Sequence, residues 1–149
     1  MRAVVQRVSE ASVSVDGEVV GAIASGLCVL ISVGGEDTAS DREIMVRKLV
    51  GLRIFADDEG RMNLDVREIG GALLLVSQFT LHGDVRRGRR PSFLAAMEPK
   101  AAAFEVNQVA LALRAEGLLV EEGRFGADMQ VRLCNDGPVT ILIDTQKAF

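Results

Sequence analysis

Few side chains in this sequence carry obvious chemistry, and the first candidates are hydroxyl groups that follow an apolar run. Ser77, Gln78 and Thr80 come directly after residues 72–76, which have the composition of a buried strand. Residues at the point where a buried strand gives way to a loop are often functional, because the strand fixes their position. These side chains could therefore bind a polar substrate. The alternative is that the hydroxyls only bond to nearby backbone groups.

Conventional catalytic side chains are scarce. His82 is the only histidine, and the two cysteines, Cys28 and Cys134, both lie in apolar runs. The sequence lacks the clustered ligands of a metal site and has no glycine-rich phosphate loop, so no metal and no cofactor is expected. Ser77 and His82 could form a nucleophile pair, but there is no Gly-x-Ser-x-Gly elbow, and a solvent-exposed loop histidine is favoured. Phe79 is expected in the core rather than as a stacking surface.

A second candidate is Asn135-Asp136-Gly137-Pro138-Val139-Thr140, the Gly-Pro element, which separates two apolar runs. Gly137 can adopt backbone angles that other residues avoid, and Pro138 has no N–H to donate. Carbonyl oxygens here could therefore face a ligand instead of a neighbouring strand. The alternative is an ordinary hairpin turn, which the spacing alone favours.

Residues 82–92 form a polar loop, the arginine loop, with a cluster of basic side chains. It contains Arg86, Arg87, Arg89 and Arg90. Such a cluster can contact nucleic-acid phosphates, or it can be a solvated loop with one or two surface ion pairs. The net charge of −4 argues against a protein coated in basic residues, so any nucleic-acid contact should be local.

Strand-like and helix-like patterns predict the elements that position these groups. Strands are predicted over residues 2–8, 11–15, 18–23, 27–33, 72–76, 118–120, 129–134 and 139–143, and another is predicted to begin at residues 54–55. Apolar residues at helical spacing predict one helix beginning near Thr38 and a second between Pro99 and Gly117. The order of elements predicts a single α+β domain over residues 1–149, with a mainly antiparallel, barrel-like sheet and two principal helices.

Composition limits the class of protein. A chain of 149 residues that is 48% hydrophobic and 26% charged is typical of one folded, soluble domain. No apolar run approaches the ~20 residues of a membrane helix, and the first residues lack a signal-peptide pattern. Two cysteines without a disulfide framework indicate reduced core thiols and a cytoplasmic protein.

Five short motifs together resemble the D-aminoacyl-tRNA deacylase family. They are Met-Arg-Ala-Val-Val-Gln-Arg-Val at residues 1–8, Ser-Gln-Phe-Thr-Leu at 77–81, Arg-Pro-Ser-Phe at 90–93, Gly-Arg-Phe-Gly-Ala-Asp-Met at 123–129 and Asn-Asp-Gly-Pro-Val-Thr at 135–140. Each motif is weak alone, but their order along essentially the whole chain makes a strong match.

The resemblance implies a cytoplasmic homodimer that hydrolyses the ester of D-aminoacyl-tRNA and of glycyl-tRNA mischarged on tRNA(Ala), without a metal. It implies that the Gly137–Pro138 peptide is cis and enters the partner subunit's pocket, where main-chain oxygens hold the α-amino group and exclude an L side chain. The residues expected around the scissile ester are Ser77, Gln78, Phe79 and Thr80. Those expected at the terminal adenosine are Phe125 and Met129, while the arginine loop would meet acceptor-stem phosphates.

Two mechanisms stay open under this resemblance. Thr80 could attack the carbonyl as a nucleophile. Alternatively, the ribose 2′-hydroxyl of the tRNA assists, and backbone N–H groups near Phe79 and Thr80 stabilise the oxyanion. The lack of an obvious base favours the second mechanism. Other interpretations are a tRNA-binding module without catalysis, an RNA-independent hydrolase of D-amino-acid esters, and a purely structural dimer.

Overall fold

The structure, a computed structural model, describes residues 1–147. Its strands are β1 (Arg2–Val15), β2 (Glu18–Ile23), β3 (Gly26–Ser32), β4 (Phe55–Ala56), β5 (Met62–Leu64), β6 (Ala72–Ser77), β7 (Leu119–Glu122) and β8 (Gln130–Asp144). Its α-helices are α1 (Ala39–Val50) and α2 (Pro99–Ala115), and a short 3₁₀ helix spans Phe79–His82. The predicted α+β class and the two principal helices are confirmed.

The main sheet of the described residues is mixed. β1 pairs antiparallel with β2, β3 and β8, whereas β6 pairs parallel with β3 and β7. The prediction of a mainly antiparallel sheet is therefore not confirmed. The physical reason is the connectivity, because α1 lies between β3 and β6 and α2 lies between β6 and β7. Helical crossovers of this kind return the chain in the same direction.

The sheet curves into a nearly closed barrel, as predicted, because β2 also approaches β6 and β7. Gly21 on β2 allows this approach. A Cβ atom at Gly21 would lie 2.7 Å from the carbonyl oxygen of Glu122 on β7, so a larger residue would force the two strands apart.

β6 is buried on both faces, as its uninterrupted apolar run predicts. Leu73 and Leu75 pack in the core beneath the helices, while Leu74 and Val76 pack inside the barrel. Burial on both faces fixes the position of the strand end, and therefore of Ser77.

The helices cover one face of the sheet and begin where the sequence predicts. Thr38 and Asp41 form a capping box at the start of α1, and Pro99 lies in the first turn of α2. Leu49 on α1 and Leu113 on α2 are fully buried in the core between helices and sheet. Within the described residues, neither helix is long and apolar enough to cross a membrane.

The two cysteines differ in environment. Cys28 on β3 is buried, and burial raises the pKa of its thiol to about 11, so it remains protonated at neutral pH. Cys134 is exposed, and the prediction of a second core thiol is wrong. Side chains alternate along β8, where Val131 and Leu133 pack against the barrel core and Cys134 points to the other side.

Candidate functional site

A cleft of about 460 Å³ opens where β6 ends. Ser77, Gln78 and Phe79 line one side of this cleft, and Phe125 and Met129 line it from the loop between β7 and β8. The remaining lining residues are Val76, Ala96, Met97, Pro99, Ala102, Gly126, Ala127, Asp128 and Val131. A mostly apolar cleft with a few polar groups is typical of a small-molecule site. The structure thus brings together residues of two motifs that lie far apart in sequence.

β3 positions the polar edge of the cleft. Ile31 on β3 is the ladder partner of Ser77, and its carbonyl oxygen accepts a hydrogen bond of 2.7 Å from the backbone N–H of Gln78. The chain then turns into the 3₁₀ helix, which ends where the N–H of Gly83 donates to the carbonyl oxygen of Thr80 at 2.9 Å. Backbone hydrogen bonds therefore fix the Ser-Gln-Phe-Thr segment, residues 77–80, at both ends.

Phe79 lies at the mouth of the cleft with 58% of its surface exposed, so the prediction of a core position is wrong. Its ring meets Phe93 edge to face, with centroids 4.9 Å apart and an interplanar angle of 65°. The chain leaves the sheet at Gln78, so the strand alternation no longer directs the next side chain into the core. Phe79 is consequently available as a stacking surface.

Thr80 is exposed and does not line the cleft of its own chain. Its Oγ1 accepts a hydrogen bond from Nε2 of Gln78, and within residues 1–147 no acidic or basic side chain bonds to this hydroxyl. The backbone N–H groups of Phe79 and Thr80 have no acceptor in the same part of the chain. The segment therefore offers two free N–H donors and a hydroxyl without a base.

His82 is buried, and the prediction of a solvent-exposed loop histidine is wrong. The 3₁₀ helix folds its ring back onto β3, where Nδ1 lies 2.7 Å from Oγ of Ser32. The alternative Ser77–His82 pair is therefore not formed. Burial lowers the pKa of His82, and the nearby cation Arg2 lowers it further. Sequence reasoning missed Ser32, although a serine within a strand buried on both faces requires a polar partner.

The Gly-Pro element interrupts the pairing of β8 with β1 but does not reverse the chain. Val8 pairs with Asn135 and Gln6 pairs with Thr140, so the intervening residues of β8 bulge outward opposite Arg7. The hairpin-turn alternative is wrong, because both halves of β8 pair with the same strand. The Gly137–Pro138 peptide is cis, and both residues are exposed.

Two side chains brace this bulge. Asn135 spans it, since Oδ1 accepts from the backbone N–H of Val139 at 2.7 Å and Nδ2 donates to the Val139 carbonyl oxygen at 3.2 Å. Arg7 donates from Nε to the carbonyl oxygen of Asp136 at 2.8 Å and from Nη1 to that of Ile54 at 2.5 Å. The exposed bulge is therefore held by its own chain.

Gly137 leaves no room for a side chain. Its φ is 144°, and a Cβ atom there would lie 2.7 Å from Cγ2 of Val139 and 3.1 Å from Nη2 of Arg7. Neither Gly137 nor Pro138 lines the cleft of its own chain. The two sequence-predicted parts of the site thus lie apart within one chain.

The arginine loop is a short hairpin closed by backbone hydrogen bonds between Asp84 and Ser92. Asp84 also binds the guanidinium of Arg86 through Nε at 2.9 Å and Nη2 at 2.6 Å, which holds the pKa of this carboxyl well below its usual range. The remaining arginines are Arg87, Arg89 and Arg90. In the described part of the chain these three are exposed and form no ion pair.

Neither the loop nor any other described region holds a group of three metal-binding side chains.

Known proteins match this chain over nearly its full length. Residues 4–144 match the family model described as D-Tyr-tRNA(Tyr) deacylase. A D-aminoacyl-tRNA deacylase of Desulfitobacterium hafniense is 56% identical over 149 residues, which is 100% of each chain. One of Chloroflexus aurantiacus is 58% identical over 145 residues, covering 97% of this chain and 91% of the relative. The solved structure of the c-Myc DNA Unwinding Element Binding Protein is 44% identical with a TM-score of 0.91, covering 97% of this chain and 98% of that one.

Relatives this similar over nearly the full chain show that the protein is an enzyme, a hydrolase that acts on an ester bond. The chain belongs to the D-Tyr-tRNA(Tyr) deacylase family. The resemblance inferred from the five short motifs is thereby confirmed.

Proposed function

We propose that this protein hydrolyses the ester bond of D-aminoacyl-tRNA, and of glycyl-tRNA mischarged on tRNA(Ala), to release tRNA and the amino acid. The reaction would be a proofreading step in the cytoplasm, where charged tRNA is used. Family membership supports the reaction itself. The observation that carries the stereochemical part is the Gly137–Pro138 corner of the Gly-Pro element. This corner is exposed, is held by hydrogen bonds of its own chain, has no side chain at Gly137 and does not line the cleft of its own chain.

The working site is proposed to combine two subunits of a homodimer. An exposed bulge that its own chain holds in place suits a partner surface, because little conformational entropy is lost when it docks. The Gly-Pro element of one subunit would enter the cleft of the other and complete it. Its carbonyl oxygens would then accept hydrogen bonds from the α-amino group of the substrate.

Chirality would be read by available space. With the amino group and the ester carbonyl both fixed, the D and L forms direct their side chains to different sides of the α-carbon. A wall of main chain at Gly137 and Pro138 cannot move aside as a side chain could, so an L side chain would clash with it. Glycine has no side chain to exclude, which explains why glycyl-tRNA should also be a substrate.

The chemistry of the segment favours assistance by the tRNA over attack by Thr80. Among the described residues, Thr80 has no base that could activate it, since the imidazole of His82 is bound to Ser32. The free N–H groups of Phe79 and Thr80 could stabilise the oxyanion of the tetrahedral intermediate. The neighbouring 2′-hydroxyl would assist attack by water on an ester that is already reactive.

Recognition of the tRNA end is assigned to groups around the cleft. The exposed ring of Phe79 and the side chains of Phe125 and Met129 offer apolar surface for the terminal adenosine. The arginine loop could bind acceptor-stem phosphates through the three arginines that have no ion pair in the described part of the chain. Gln78, which lines the cleft, could orient the ester.

Mixed dimers test the cross-subunit site. Gly137→Ala should displace the carbonyl oxygens that hold the α-amino group, and Gln78→Ala should remove the group that orients the ester, so each variant alone should hydrolyse D-aminoacyl-tRNA very slowly. When the two variants are coexpressed, about half of the dimers are mixed, and each mixed dimer contains one fully wild-type site if the wall crosses between subunits. Activity should then recover to about a quarter of wild type. If each subunit used its own wall, no site would be intact and activity would not recover.

Gly60→Ala is the matched control for Gly137→Ala. Gly60 also has a positive φ, of 78°, but a Cβ atom there would have no neighbour within 4 Å. This variant also places a Cβ atom at a positive φ but does not crowd the wall, so it should lose some stability and keep full activity.

A further inference from the structure

We infer that His82 and Ser32 form a buried pair that positions the Ser-Gln-Phe-Thr segment for hydrolysis, and that charging the imidazole releases this segment. The inference rests on the proposed deacylase function. It assigns His82 the role of a positioning residue, since the ring does not line the cleft and acts through Ser32 and the 3₁₀ helix.

The geometry joins the pair to the reacting segment. Oγ of Ser32 lies 2.7 Å from Nδ1 of His82 and 3.5 Å from the carbonyl oxygen of Phe79. Only 3% of the surface of Ser32 and 7% of that of His82 is exposed, so water cannot readily replace either contact. Ser32 and Phe79 also line the same small cavity, of about 20 Å³.

β3 makes Ser32 a fixed anchor, because this strand pairs with β1 on one side and β6 on the other. A second contact holds the same turn, since Nη1 of Arg2 donates to the carbonyl oxygen of Leu81 at 3.0 Å. The free N–H groups of Phe79 and Thr80 belong to this turn, so its position decides where those donors point.

A positive charge on the ring opposes this arrangement. The imidazole is buried, and four charged groups face it from the surrounding elements. They are Arg2 on β1, the Met1 ammonium, Asp37 in the loop after β3 and Asp144 on β8. Burial, Arg2 and the ammonium together outweigh the two carboxylates, and the pKa of His82 is lowered. Proton binding is therefore favoured in states where the turn has moved and the ring is hydrated.

The pH profile of hydrolysis tests the inference. For wild type, kcat/KM for a D-aminoacyl-tRNA, corrected for uncatalysed hydrolysis, should fall in acid with a midpoint below the ordinary histidine value of about 6.5. In His82→Asn, an amide that does not titrate takes the place of Nδ1. We expect this variant to lie within about threefold of wild type near pH 8 and to lose the acid limb.

His82→Phe removes the partner of Ser32 and provides the contrast. We expect activity about tenfold below wild type at every pH, without an acid limb, because the hydroxyl is left buried and the turn is less constrained. If His82→Phe does not fold, as judged by circular dichroism, the comparison of wild type with His82→Asn decides alone. Superimposable profiles for those two proteins would overturn the inference.

A readout without turnover separates this inference from the proposed function. The backbone amide resonances of Phe79, Thr80 and Leu81 should shift with pH in wild type, following the imidazole of His82, and should not do so in His82→Asn. If wild type hydrolysed no D-aminoacyl-tRNA, the proposed function would fail. The pH-dependent shifts would still test whether the His82–Ser32 pair positions the turn. Amide resonances that ignore the titration of His82 would contradict the positioning role.

Discussion

Arg7 and Asp136 are joined by a hydrogen bond of 2.8 Å from the guanidinium Nε to the backbone carbonyl oxygen that directly precedes Gly137. The same guanidinium donates to the carbonyl oxygen of Ile54, the residue that precedes β4. Arg7 therefore ties the bulge of β8 to a different part of the main chain. A planar fork with several donors is suited to bridging two carbonyl groups in this way.

Arg7→Ala should loosen the Gly-Pro element and reduce stereochemical discrimination. We expect the ratio of D- to L-aminoacyl-tRNA hydrolysis rates to fall by about tenfold or more, mainly because the L substrate is hydrolysed faster. Single-turnover rates with both substrates measure this ratio. Arg7→Lys should give an intermediate result, because one ammonium group cannot reproduce the fork.

Arg61→Ala is the control for Arg7→Ala. Arg61 forms surface ion pairs with Asp57 and Glu59 in an exposed turn, and such pairs contribute little to stability. Its removal should leave the D/L ratio unchanged. An unchanged ratio in Arg7→Ala as well would show that this guanidinium does not fix the wall.

Thr80→Ala should remain active. The described residues provide Thr80 with no base, and its hydroxyl is already bonded to Gln78, so we expect kcat to fall by less than about tenfold. Single-turnover hydrolysis at saturating enzyme gives this rate. Loss of more than about a thousandfold with substrate binding retained would instead support a nucleophilic threonine.

The arginine loop should act through Arg87, Arg89 and Arg90. Replacing all three with alanine should weaken tRNA binding and flatten the plot of log Kd against log salt concentration by about 0.7–0.9 for each phosphate that the loop no longer binds. Arg86→Ala should change the slope little, because Asp84 already neutralises this guanidinium. A triple variant with the wild-type slope would remove the loop from the tRNA interface.

Stability should decrease in mild acid because of His82. Its pKa is lower in the folded protein than in the unfolded chain, so the unfolded state binds the proton more readily. The stabilisation that comes from keeping His82 neutral is fully present above about pH 6.5. The free energy of unfolding should therefore fall as the pH decreases from about 6.5 through the folded-state pKa of His82. Urea unfolding across this range should show a larger decrease in wild type than in His82→Asn.

Much of the scaffold could be predicted from apolar periodicity, whereas strand direction could not. The caps at Thr38 and Pro99 and the buried run of β6 are local features, and local chemistry determines them. The parallel pairing of β6 depends on how two helices cross the sheet, which no single run of residues reports. The face that Cys134 occupies was not predictable either, because apolar neighbours on a strand do not reveal which side a given residue takes.

The positions of the site residues could be predicted where they follow directly from a strand, but not where the chain turns. Ser77 and Gln78 lie in the cleft, as their place at the end of β6 indicates. The predictions for Phe79 and His82 are both wrong, because one turn of 3₁₀ helix directs the aromatic ring outward and the imidazole onto Ser32. Residue type alone favours the opposite placement for both.

The central claim is that a corner of main chain at Gly137 and Pro138 sorts amino acids by the space on one side of the α-carbon. The most direct test measures single-turnover hydrolysis of one tRNA charged with the D or the L form of the same amino acid. We predict that the D form is hydrolysed at least about a hundredfold faster. Equal rates for the two forms would contradict the claim.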